Sequence, residues 1–223
     1  MSSIRGLAIA ALMAATPLAA QAQTVLLDAS NTGIDAGTFS FNVVGTTITV
    51  NETWTSNGLG ALLFRGLDAG VNYTVVKNIT NNPGSTWTRF ANELLDPAGQ
   101  ANDASDVQPY PAFVPVGYTT SNDNDGLSFA QGSLLPRTSV AFTSLLTDEL
   151  TDVRDFLDFF TGSVLSGFGD TITYGLRDNA AANQPFLLVQ RPNERSVETP
   201  EPVSAALLGM GLLGLGFARR RRA

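Results

Sequence analysis

The chain has 223 residues, and its 13 Lys and Arg against 20 Asp and Glu give a net charge of −7. It contains no cysteine and no histidine, which excludes disulfides, thiolate nucleophiles and a Ser-His-Asp triad and removes the commonest zinc ligand. An acidic surface repels nucleic acid, so we expect no nucleic-acid partner.

Residues 1–22 predict a signal peptide for export. Arg5 supplies a short positive region, residues 6–15 are apolar, and Ala20-Gln-Ala22 fits an A-x-A cleavage site. The apolar segment is too short to span a bilayer. The alternative interpretation is a buried helix at the start of a domain.

Residues 23–191 predict one all-β domain, an antiparallel β-sandwich of the jelly-roll type. Polar and apolar residues alternate over Thr38–Val43 and again over Thr47–Asn51, and Gly45-Thr46 between them indicates a hairpin. Similar strand patterns lie at residues 72–79, 85–95, 127–129, 170–176 and 185–190. Turn clusters between these patterns favour a sandwich over other β-folds.

Residues 96–126 predict a proline-rich loop or edge strand, and this segment ends in a possible cation loop. The sequence Ser121-Asn-Asp-Asn-Asp-Gly126 nearly fits D-x-[DN]-x-[DN]-G, so Asp123 and Asp125 are candidate calcium ligands. Ser121 replaces the first acid of that motif, and Gly132 replaces its final Glu. The alternative is an Asx-rich β-turn that binds no metal.

An acidic run follows, and it has both a catalytic and a structural interpretation. Paired carboxylates can serve a glycosidase, whereas a solvated face partly paired with Arg154 needs no chemistry. The run consists of Asp148, Glu149, Asp152, Asp155 and Asp158. Its local pattern predicts a helical turn over residues 147–153 followed by a strand.

The aromatic residues and the only lysine also have two interpretations. Surface aromatics can stack on sugars, but in strand patterns they are usually core. The candidates are Trp54, Trp87, Tyr73, Tyr110, Tyr118 and Tyr174. Lys77 lies in a strand-like stretch, where a role as nucleophile would require burial.

The C-terminal 24 residues contain three consecutive blocks. Pro200-Glu201-Pro202 is followed by an uncharged apolar run over residues 203–218 and then by Arg219, Arg220, Arg221 and Arg222. Sixteen helical residues span roughly 24 Å, slightly less than the ~30 Å hydrocarbon core, and arginine side chains can cover the difference by snorkelling. The run therefore predicts a transmembrane helix with its arginines on the cytoplasmic side.

This tail resembles the PEP-CTERM sorting signal of Gram-negative bacteria. The resemblance implies that the tail holds an exported protein in the inner membrane until an exosortase cuts near Pro200-Glu201-Pro202. Residues 75–190 also resemble the bodies of exported PEP-CTERM proteins of unknown function, which implies a β-rich domain without an assigned activity. The stretches that carry this second resemblance are residues 78–94, 125–132, 148–149, 154–157 and 185–188.

The expected domain order is a signal peptide, the β-domain, a polar linker over residues 192–199 and the sorting tail. Without Arg5 and the four tail arginines, residues 23–202 keep 8 basic and 20 acidic groups, a net charge of −12. We expect a surface or extracellular-matrix protein that passes through an inner-membrane intermediate. Its expected partners are exosortase, the export machinery, the membrane until processing, and extracellular polysaccharide.

The expected role is structural, associated with exopolysaccharide, and not enzymatic. The alternative is a calcium-dependent glycan-binding or adhesion module that uses the loop at residues 121–126. A third hypothesis is a glycoside hydrolase. No cofactor is expected, apart from calcium in the alternative.

Overall fold

A computed structural model of the chain describes residues 22–82, 84–97, 114–121, 126–148, 154–179 and 184–194. Within these ranges the protein is all-β, with 13 strands in two sheets and no helix. The predicted loop acids Asp123 and Asp125 lie outside the described residues. So do the signal peptide except for Ala22, which is exposed, and the whole sorting tail.

The first sheet has seven strands, and every pair in it is antiparallel. In spatial order they are β1 (Thr24–Leu27), β4 (Gly60–Arg65), β13 (Phe186–Pro192), β6 (Trp87–Pro97), β11 (Phe156–Val164) and β10 (Phe142–Asp148), with β7 (Tyr118–Thr120) paired to the end of β6. The last strand within the described ranges, β13, therefore lies inside the sheet, between β4 and β6.

The second sheet has six strands and is mixed. In spatial order they are β2 (Ser40–Val44), β3 (Thr47–Trp54), β5 (Asn72–Asn81), β12 (Gly169–Asp178) and β8 (Leu127–Ser128), with β9 (Thr138–Ser139) also paired to β12. The expectation of purely antiparallel pairing was wrong for β3 and β5, which are parallel. The reason is that β4, which connects them, lies in the other sheet, and a crossover of this kind returns the chain in the same direction.

The two sheets pack against each other through one hydrophobic core, an arrangement consistent with a β-sandwich. The ring of Trp54 on β3 meets the rings of Trp87 and Phe90 on β6 edge-on, with centroids 5.5 Å apart in both pairs. A smaller apolar cluster covers the outer face of the first sheet, formed by Ala61, Leu63, Leu95, Leu187 and Val189. Because β13 contacts apolar groups on both of its faces, it is buried along its whole length.

Most of the strands expected from alternation are present, including the β2–β3 hairpin and the buried strand near the C-terminus. The prediction of a helical turn over residues 147–153 was wrong at its start. Thr147 and Asp148 belong to β10 and pair with Leu157 and Phe156. Cross-strand pairing here overrides a local pattern that also fitted a helix. The predicted strand after this segment is confirmed as β11.

Candidate functional site between the two sheets

Lys77 lies in the hydrophobic core, fully buried between the sheets. On β5 the residues Tyr73, Val75, Lys77 and Ile79 alternate with partly or fully exposed ones, so strand geometry directs Lys77 to the inner face. A lysine is almost never fully buried unless it has a partner. The groups around its ammonium therefore define a site.

Two side chains and one aromatic ring surround the Lys77 amine. Its Nζ lies 3.5 Å from Oε2 of Glu52 on β3 and donates to Oδ1 of Asn92 on β6 at 3.4 Å. It also lies 4.9 Å from the centroid of the Phe90 ring. Glu52 belongs to the same sheet as Lys77, whereas Asn92 reaches the amine from the opposite sheet.

Glu52 is held in place by two donors. Its Oε2 accepts from Nε1 of Trp54 at 3.1 Å, and its Oε1 accepts from Nε2 of Gln190 at 3.0 Å. Gln190 on β13 is the direct register partner of Asn92 on β6, so these two side chains leave the first sheet side by side. We call Glu52, Lys77, Asn92 and Gln190 the inter-sheet cluster, and all four are at most 2% exposed.

Burial shifts the pKa values of Lys77 and of Tyr174. Desolvation lowers the pKa of Lys77 from 10.5 to about 8, although the negative charge of Glu52 acts in the opposite direction. Desolvation also raises the pKa of Tyr174 well above its usual value, and the charge of Glu52 adds to that effect. The Tyr174 hydroxyl is buried without a hydrogen-bond partner among the described residues.

The inter-sheet cluster combines three chemical functions, because the Lys77 amine lies within 3.5 Å of both the Glu52 carboxylate and the Asn92 carboxamide. An amine that loses its proton near neutral pH is a nucleophile, and desolvation in an apolar pocket is one way proteins produce it. A carboxylate near that amine can accept and return a proton. The carboxamide of Asn92 contains the electrophilic carbonyl carbon.

A second buried ionic group lies on the outer face of the first sheet. Glu93 on β6 points away from the core, pairs with Arg154, and accepts from Nη2 of Arg191 at 2.9 Å. All three side chains are at most 3% exposed. We call Glu93, Arg154 and Arg191 the outer-face cluster.

The described part of the acidic run is not a solvated face, and that interpretation was wrong for Asp155 and Asp158. Both are fully buried, and Asp155 Oδ2 accepts from the Ser121 hydroxyl at 2.6 Å. Arg154 pairs with Glu93, which lies outside the run. Glu149 and Asp152 lie outside the described residues, as does the side chain of Asp148.

The aromatic residues in strand patterns are core residues, as expected. Trp54, Trp87, Tyr73 and Tyr174 are buried. Tyr118 is half-buried and packs on the small apolar cluster of the outer face. Tyr110 lies outside the described residues, so the described part of the chain offers no row of exposed aromatic rings for a sugar.

No group of three or more acidic side chains within the described ranges is arranged to hold a metal ion. In the part of the chain that the structure covers, no helix is long and apolar enough to cross a membrane. Comparisons with protein-family models, with curated proteins and with solved structures found no match.

Sequence reasoning missed the inter-sheet cluster, although a signal for it was present. In β3 the inward positions are Ile48, Val50, Glu52 and Trp54, so a carboxylate occupies a place where alternation calls for an apolar residue. Lys77 interrupts the inward row of β5 in the same way. Two opposite charges at inward positions of two strands indicate a buried pair.

Proposed function

We propose that this chain is an exported, non-catalytic structural protein of the bacterial envelope or extracellular matrix, associated with exopolysaccharide. Residues 1–22 direct export, and the helix at residues 203–218 with Arg219–Arg222 holds the protein in the inner membrane. Exosortase then releases it near Pro200-Glu201-Pro202. The body between these signals is a sandwich of the jelly-roll type that serves as a rigid acidic unit.

One observation supports the structural role: buried acidic side chains form ion pairs and hydrogen bonds that stabilise the domain. Glu93 is paired with two arginines from different parts of the chain, and Asp155 accepts from Ser121. Carboxylates used in this way hold strands and loops together. A glycosidase would instead need two carboxyl groups facing a cleft across the sugar bond, roughly 5 to 10 Å apart.

Sorting is tested in a host that contains an exosortase. Mass spectrometry of the protein from surface and matrix fractions should find a chain that starts near Gln23 and lacks Arg219–Arg222. Changing Pro200 and Pro202 to Ala should leave the full tail on the protein and retain it in the inner membrane. A mature surface protein that keeps its four arginines would contradict the sorting proposal.

The structural role is tested separately on the purified protein. We expect no hydrolysis in a broad polysaccharide screen and no rise of the melting temperature when calcium is added. A calcium-induced rise that is lost in Asp123→Asn and Asp125→Asn would favour the glycan-binding alternative. Hydrolysis abolished by a single Asp→Asn change would favour the hydrolase.

A further inference from the structure

We propose that Lys77 and Asn92 join through an intramolecular isopeptide bond, with Glu52 transferring the proton. The inference goes beyond the proposed function, because the bond depends only on the inter-sheet cluster and not on export or sorting. It rests on the amine, the carboxamide and the carboxylate that meet in the core. No other lysine is present in the chain to compete for the reaction.

The reacting groups are already in contact. Lys77 Nζ lies 3.4 Å from Asn92 Oδ1, so the amine is next to the carbonyl that it would attack. The two side chains come from opposite sheets, and neighbouring strands fix both backbones, since β5 lies between β3 and β12 and β6 lies between β13 and β11. Little further motion is needed to bring nitrogen and carbon together.

Glu52 is placed to act as the proton carrier. Its Oε2 lies 3.5 Å from Lys77 Nζ, and the donors Trp54 and Gln190 fix the orientation of the carboxylate. Gln190 is a positioning residue, because it joins Glu52 to the strand position directly beside Asn92. The base, the nucleophile and the electrophile therefore share one small volume.

The reaction needs no oxidant and no other reactant. The neutral Nζ attacks Cγ of Asn92 and forms the new carbon–nitrogen bond, and Glu52 takes the proton that Nζ loses. Glu52 then gives that proton to Nδ2, the bond between Cγ and Nδ2 breaks, and ammonia leaves. The products are a secondary amide and one ammonia, and Glu52 returns to its starting state.

The environment of Lys77 favours attack by a neutral amine over the charged state that a solvent-exposed lysine keeps. Burial lowers the pKa of Lys77 to about 8, so a useful fraction of the amine is neutral at mildly alkaline pH. Phe90 and Trp54 line the site and exclude water that would compete for the carbonyl. The Asn92 amide is fully buried, so ammonia would leave from a site that is closed to bulk water.

The bond would give a cysteine-free exported domain a covalent connection between its two sheets. Lys77 is on the second sheet and Asn92 is on the first. Each cross-linked molecule reacts once and has no turnover. The chemistry is therefore compatible with a structural protein that is not an enzyme.

The test is peptide mapping of the full-length expressed protein after incubation at pH 8 and denaturation. A cross-linked Lys77 resists trypsin, so digestion should release one branched peptide, residues 66–89 joined to residues 90–137, lighter than the sum of its parts by one ammonia. Intact mass alone does not decide the question, because removal of residues 1–22 would expose an N-terminal Gln23, which loses the same ammonia when it cyclises. Finding only the linear peptides 66–77, 78–89 and 90–137 overturns the proposal.

Three variants assign the roles. Asn92→Ala should abolish the branched peptide, whereas Asn78→Ala, which removes an exposed carboxamide next to Lys77, should keep it. Glu52→Gln preserves the shape of the side chain but cannot carry the proton, so the bond should form at least about a hundredfold more slowly. A Glu52→Gln protein that cross-links at the wild-type rate would remove Glu52 from the mechanism and contradict the proposal.

A second measurement does not depend on whether any variant folds. Because Lys77 is the only lysine, an amine-reactive label applied to the urea-unfolded chain reports directly on its Nζ. The wild type should take up almost no label at Lys77. Full labelling of Lys77 in the unfolded wild type contradicts the isopeptide bond.

Discussion

Two neighbouring residues of β6, Asn92 and Glu93, belong to two different kinds of buried polar group. Asn92 faces the core and meets a lysine, whereas Glu93 faces outward and meets two arginines. Both groups are almost completely removed from water. The inter-sheet cluster contains a lysine and the outer-face cluster contains two arginines, and these cations differ in how readily they give up a proton.

Arginine keeps its proton in proteins, so the outer-face cluster is a permanent set of charge-assisted hydrogen bonds. Burial lowers the pKa of a lysine, here to about 8, so the inter-sheet cluster contains an amine that can become neutral and react at mildly alkaline pH. On the proposal made above, burial of a charged pair would serve stability on one face of β6 and chemistry on the other. Four predictions test this distinction, in order of decreasing effect.

The largest effect is expected from Glu93→Gln in the outer-face cluster. Removing this carboxylate takes away the buried anion that Arg154 and Arg191 share, which should lower the free energy of unfolding by roughly 3 to 5 kcal/mol. Urea denaturation measures the loss. A change of less than 1 kcal/mol would mean that the cluster is not a stabilising ion pair.

The next effect comes from the double substitution Glu52→Gln with Lys77→Met. Replacing a buried ion pair by neutral groups of similar size is often neutral or stabilising. If the isopeptide bond exists, the double variant also loses the closure of the 15-residue interval between Lys77 and Asn92. By the loop-entropy relation this loss costs about 3 kcal/mol. Urea denaturation should therefore find the double variant less stable than the wild type, and an equal or higher stability would argue against the cross-link.

The third effect is on pH dependence, measured on Asn92→Ala, which leaves Lys77 free to titrate. Its folded pKa is lowered to about 8 from 10.5, so between these values the unfolded chain binds more protons than the folded one. Stability should therefore rise from pH 8 towards pH 10, by at most about 3 kcal/mol.

Above pH 10 the opposite trend is expected, because burial raises the pKa of Tyr174 and the unfolded tyrosine loses its proton first. The control is Asn92→Ala with Lys77→Met, which should lack the rise between pH 8 and pH 10. The cross-linked wild type should lack it as well, since an amide nitrogen does not titrate. A wild-type rise as large as that of Asn92→Ala would indicate a free amine.

The smallest effect is expected from Glu194→Gln. Glu194 is 43% exposed and lies 3.8 Å from Nε of Arg191, so solvent screens the pair. Its loss should cost less than about 1 kcal/mol in urea denaturation. The contrast with Glu93→Gln compares a buried carboxylate that pairs with two arginines with a solvent-exposed carboxylate that contacts one of the same arginines, Arg191.

Alternation in the sequence was sufficient to predict β2, β3, β5, β12 and β13, because each has one clearly apolar face or is apolar throughout. The alternation could not predict that β3 and β5 are parallel, because their relative direction depends on which sheet the intervening strand β4 joins. The alternation places Glu52 and Lys77 at inward positions, but it could not show that the opposite sheet brings Asn92 and Gln190 against them. The complete site joins strands that are distant in sequence, so only the fold brings it together.

The position of β13 would affect folding if the chain is exported as proposed. Within the described ranges this strand comes last along the chain, yet it separates β4 from β6 in the first sheet. In an export that begins at the N-terminal end, the first sheet would lack β13 until residue 192 has crossed. The chain would then stay unfolded, and so transportable, through most of translocation. Gln190 would arrive with that strand, so Glu52 would receive the hydrogen bond from Gln190 late in folding.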